Sequence, residues 1–114
     1  MRLKYHRQLS QKRWQKFTFA QQILMIGTEL LRAEKRLMVG DDDEARRCYE
    51  RALELIWLTA MTVDRFHRRR ELLRFKEVLL QVYTEGITEA ENRQLFHTLI
   101  LMSGEAWRSL NPIS

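Results

Sequence analysis

The acids Glu29, Glu50, Glu54 and Asp64 are the residues of this chain best suited to metal chemistry. Glu50 and Glu54 stand four positions apart, so a helix puts both carboxylates on one face. Carboxylates paired across two helices can hold Mg²⁺ for reactions of nucleotides. The adjacent glutamate pair that helical nucleotide-cleaving sites also carry is absent, and Arg32, Arg47 and Arg51 are spaced to neutralise the set. Salt-bridged structural carboxylates are therefore the preferred reading. His97 follows Arg93 with three residues between them. That is too close for the Arg-then-His pattern of helical ribonucleases, and Arg65 and His67 are closer still. The chain has no Ser/His/Asp set, no CxxC, no phosphate-cradling glycine loop and no HExxH. No catalytic residue, metal ligand or cofactor is assigned.

The cations are more informative. Arg2, Lys4, Arg7, Lys12, Arg13 and Lys16 all precede the first acid, Glu29. The net charge is +5, and the other 14 of the 20 basic residues face all 15 acids, so the basic character belongs to the N-terminus. Tyr5, His6, Trp14 and Phe17 are interleaved with these cations. That mixture suits nucleic acid, because cations pair with phosphates while rings stack on exposed bases. It also suits an anionic membrane surface or an acidic protein. Arg68 and Arg69, in the polar stretch Asp64–Glu71, are expected to join the set. Arginines in the first turn of a helix oppose its dipole. They are explained either as partners for the last carbonyls of the preceding helix or as an anion site.

These residues need elements to position them. At 114 residues the chain is read as a single domain over 1–114, with 1–9 a basic arm that has no clear period and is partly frayed. The longest uncharged apolar run, Phe17 to Thr28, is 12 residues, too short to span a bilayer. No secretory signal pattern is seen, and the single Cys48, read as a small packing residue, suits a reducing cytoplasm. From Ala45 to Tyr83 there is no Gly or Pro, and apolar residues recur at helical spacing on either side of the Asp64–Glu71 stretch. The predicted helices run over 10–38, 42–62, 66–84 and 88–110. Gly40, Asp64 and Gly86 mark the breaks, with Asp64 and Thr88 as caps and Asp41–Glu44 complementing a helix N-terminus. Gly27, inside the first apolar seam, anticipates a close helix crossing.

The expected fold is all-α, an antiparallel up-down-up-down four-helix bundle with a long first helix. In that arrangement the N-terminal cations, the 64–71 turn and Arg108 gather at one pole, and Asp41, Asp42, Asp43, Glu44, Glu85, Glu89 and Glu91 at the other. Trp14, Trp57 and Phe17 exceed what one small core needs, which points to a homodimer.

Two segments, Phe19–Ala33 and Cys48–Thr59, continued by Arg70–Leu79, resemble a family of small uncharacterised bacterial all-helical proteins over roughly residues 17–85. The resemblance implies a helical fold and a shared packing pattern, and no activity. The expected function is a non-enzymatic helical interaction module whose basic pole binds nucleic acid or another polyanion. The alternatives are a purely structural homo-oligomer and a small hydrolase, either nucleotide pyrophosphatase-like through the acidic set or HEPN-like through His97.

Overall fold

The computed structural model describes residues 3–111, and its regular elements are all helices. They are α1 (Gln11–Trp14), α2 (Phe19–Met38), α3 (Asp42–Thr62), α4 (Phe66–Glu85), α5 (Glu89–Ile100) and α6 (Gly104–Leu110). Five of them start in the same way. Ser10, Thr18, Asp41, Thr88 and Ser103 each accept a hydrogen bond from the amide three residues on, pairing one of the orphan donors of a first turn. The α2–α3 turn is closed by a Schellman motif. Gly40, at φ +76°, donates to the Leu37 carbonyl, and Asp41 donates to that of Arg36.

Helix α4 starts differently. Asp64 does not cap it. Arg65 holds the N-cap position without a side-chain bond. The junction is tied instead by Arg69, whose Nε and Nη2 donate to the carbonyls of Ala60 and Val63, both at 2.8 Å. One guanidinium thus satisfies the end of α3 while fixing α4 to it.

The long first helix is not observed. It breaks at residues 15–18 into α1 and α2, leaving α2 at 20 residues beside 21 for α3 and 20 for α4. Trp14 is the cause. It is fully buried, and its indole N–H donates to the Thr59 hydroxyl on α3 at 3.0 Å. The chain turns there so that Trp14 enters the core, and the Trp14 carbonyl accepts from both the Phe17 amide and Gln22 Nε2. Thr18 and Gln21 restart the helix with a reciprocal capping box. The predicted 88–110 helix breaks likewise at Leu101–Ser103, where Ser103 caps α6.

Helix α2 is central. It packs most extensively on α3 and next on α5, and α3 also carries α4. Residue order runs opposite ways across the α3–α4 contact, where Arg69 meets Ala60 and the Tyr83 hydroxyl meets Glu50. The same holds for α2–α5, where Leu30 meets Asn92 and Gly27 meets Phe96 and Ile100. Gly27 allows the close approach at that crossing, where a Cβ would lie 3.1 Å from the Phe96 ring. Asn92, 1% exposed, ties three helices by accepting from the Tyr49 hydroxyl and donating to the Leu30 carbonyl. By contrast α4 and α5 touch only thinly. The extents of 42 × 38 × 23 Å are those of a slab about two helix diameters thick.

Candidate functional site

The acidic set is drawn in three directions. Glu29, buried on α2, is bound by Arg51 Nε at 3.1 Å and Arg32 Nη1 at 3.2 Å. Arg51 also reaches Glu44 and the sulfur of Cys48. Burial raises the Cys48 thiol pKa, consistent with a packing residue. Asp64 lies exposed beyond the end of α3. Glu50 and Glu54 do share a face of α3, but neither is neutralised by an arginine ion pair among the described residues.

Their partners are residues 4–6 of the N-terminal segment and Tyr83 of α4. Glu54 accepts from the backbone amides of Lys4, Tyr5 and His6 at 2.8–3.1 Å and lies 3.0 Å from His6 Nδ1. Burial pushes the Glu54 pKa up, and the three amides with His6 outweigh it, leaving the carboxyl below its ordinary value. Glu50 accepts from the hydroxyls of Tyr5 and Tyr83, and these bonds lower its pKa. The same bond to Glu50, with burial, pushes the Tyr5 phenol up to about 12. The guanidinium of Arg51 lies over the Tyr5 ring and that of Arg46 over the Tyr83 ring. This is an anchor for the chain's own arm. Each oxygen of Glu50 and Glu54 accepts at least one internal hydrogen bond, and no three His, Cys, Asp or Glu side chains converge among the described residues.

His97 is exposed and packs edge-on against Trp107, with ring centroids 5.5 Å apart. That contact between α5 and α6 accounts for its position.

The predicted basic set divides. Arg2 lies outside the described residues. Lys4 sits beside the Tyr5 ring, where its charge lowers the Glu50 pKa, so it belongs to the carboxylate face of α3 rather than to the pole. Arg69 is held by the α3 carbonyls. Arg68 lies over the Phe19 ring at 4.2 Å, which brings the start of α4 to the start of α2, three residues from Lys16. Arg7, Lys12, Arg13 and Lys16 are exposed. None of Arg7, Lys12, Arg13, Lys16, Arg65, Arg68, Arg70 and Arg108 forms an ion pair among the described residues, whereas Arg32, Arg47 and Arg51 in the body of the molecule all do. Asp64, Glu71 and Glu105 are the nearest acids along the chain, and Glu71 is 2.6 Å from His67.

The aromatic part of the expected site is removed. Trp14 is in the core, Tyr5 is bonded to Glu50, and His6 faces Glu54. Phe17, 39% exposed and tilted against Trp14, is the one ring of the four that keeps a substantial free face.

Sequence reasoning missed the groove between α4 and α5. It has a volume of about 500 Å³ and is floored by Phe75, Val78, Val82, Leu95 and Met102. Glu71, Arg74 and Glu91 stand on its rim. Val78 is the residue that signals it in the sequence. It is half exposed and follows Glu77 on the outer side of α4.

Comparison with known proteins yields no matching family model, no matching curated protein and no matching solved structure.

Proposed function

We propose that this protein is a helical interaction module whose basic pole binds polyanions, nucleic acid foremost. The frame is an antiparallel four-helix bundle opened along one side, with α1 and α6 as short buttresses. One observation carries the reading: Arg7, Lys12, Arg13, Lys16, Arg65, Arg68 and Arg70 gather at one end without ion-pair partners among the described residues, whereas Arg32, Arg36, Arg47 and Arg51 each have one. A surface of that kind holds a high potential and attracts phosphates through counterion release. Because Trp14, Tyr5 and His6 are engaged internally, base stacking adds little. The expected binding is therefore electrostatic and indifferent to base sequence, with Lys12, Arg13 and Lys16 as principal contacts.

The test is fluorescence anisotropy of a labelled single-stranded oligonucleotide at low and moderate salt. Affinity should fall with log salt at a slope of roughly 0.7 per phosphate contact. Changing Lys12, Arg13 and Lys16 together to Gln should reduce both the affinity and that slope by about three contacts. Equal binding by the intact protein and this variant, or no binding at low salt, would overturn the proposal.

A further inference from the structure

The α4–α5 groove has a charge pattern as well as an apolar floor. The two helices are joined by the short turn at residues 86–88, so positions equally distant from it lie side by side. Val82 is therefore level with Asn92, next to Glu91, and Val78 with Phe96, next to Leu95. Arg74 stands two helical turns further along, about 12 Å from the Val82–Glu91 level at 1.5 Å per residue. The rim thus carries the unpaired Arg74 toward one end, with Glu71 beside it turned to His67 at 2.6 Å, and Glu91 toward the other, with Val78, 50% exposed, midway between. Arg74 has no ion pair among the described residues, and Glu91 accepts only from its own helix cap, Thr88, while remaining exposed.

The geometry points to a second copy of this chain as the occupant of the groove, docked antiparallel about a two-fold axis that passes near Val78. Two kinds of two-fold axis can pair these faces. An axis along the helices would set like pole against like pole, keeping Arg74 on the level of Arg74 and Glu91 on the level of Glu91. An axis across the helices through Val78 carries Arg74 of one copy onto the level of Glu91 in the other, and does so twice. The same operation brings the arginine-rich start of α4 alongside the partner's acidic turn at Glu85 and Glu89. Charge complementarity selects the second arrangement, and the apolar floor supplies the area. The surface is separate from α1 and the N-terminal segment, which pack on α3. The inference therefore does not depend on polyanion binding.

Sedimentation equilibrium on the full chain at micromolar concentration tests it. The wild-type protein should be a dimer. Arg74→Glu alone and Glu91→Arg alone should each weaken association about tenfold or more, because each places two like-charged pairs across the dyad. An equal mixture of the two variants should recover the dimer, since the heterodimer restores both opposite-charge pairs. Recovery by mixing separates a docking effect from a folding defect, which mixing does not repair. A monomeric wild type would overturn the inference and leave the groove to a helix of another protein. Dimers of undiminished stability in both single variants, or a mixture that associates no better than its components, would overturn it equally.

Discussion

The α3 face beneath the N-terminal segment and the α4–α5 seam are both helix surfaces that the four long helices leave uncovered, and the molecule treats them oppositely. On the first, Glu50 and Glu54 meet the hydroxyls of Tyr5 and Tyr83 and the amides of residues 4–6. Trp14 then seals its far end against Thr59. On the second, α4 buries Leu72, Phe75, Leu79 and Val82 while Val78 stays half exposed above a groove of about 500 Å³. A segment of the chain covers one surface. No described segment covers the other, and Arg74 and Glu91 on its rim lack ion-pair partners among the described residues. Carboxylates on a helix flank can recruit an irregular segment because its amides need acceptors. An apolar trough offers no acceptor and suits only another apolar surface.

Substitutions on the two surfaces should differ accordingly. The largest effect is expected at Trp14, where Trp14→Ala removes the indole and its bond to Thr59 and should cost about 3–5 kcal/mol in chemical denaturation. Glu54→Ala leaves the amides of Lys4, Tyr5 and His6 without their acceptor. It should cost about 1.5–3 kcal/mol and make the N-terminal segment cleavable by protease under native conditions. At the α2–α5 crossing, Gly27→Val forces the Phe96 ring aside and should cost about 1–3 kcal/mol by thermal melt. On the open side, Val78→Ser should change monomer stability by no more than about 0.5 kcal/mol while weakening self-association. A large loss of monomer stability at Val78 would mean that the seam is closed in solution, and the contrast would fail.

Acid and base should also act on the covered surface first. The folded-state pKa values of Glu50 and Glu54 lie below the ordinary 4.5, so their contribution is present above that value and lost as pH falls through the depressed ones. Tyr5 has the opposite sign. Its pKa is raised from 10.0 to about 12, so its contribution is complete below pH 10 and declines as pH rises toward 12. Amide exchange of residues 4–6, corrected for intrinsic rate, should accelerate below about pH 4 before the core unfolds. Simultaneous loss of the core and the segment would show that Glu50 and Glu54 hold more than the arm.

Much of the local structure was legible in the residues themselves. The α2–α3 turn at Gly40, the Thr88 cap, the dense helix over 42–62 and the close crossing at Gly27 follow from side-chain spacing and from which residues tolerate positive φ. The capping residues that break the two overlong predicted helices, Thr18 with Gln21 and Ser103, are cap-forming types in the sequence too, but the apolar period runs through them uninterrupted. The basic N-terminus and the acidic stretch at 41–44 are properties of composition alone.

Tertiary structure decided the partners. Glu54 was paired in expectation with an arginine on a neighbouring turn, and it holds instead the backbone of residues about fifty positions away. Arg69 resembled its neighbours as a free cation until the end of α3 came within reach. Trp14 read as a surface ring and is a core residue. Helix period and caps are set by forces between residues a few positions apart, and these are written in the order of the chain. Which donor finds which acceptor across fifty residues depends on how the helices close on one another. That closure left Glu50 and Glu54 covered and the α4–α5 seam open.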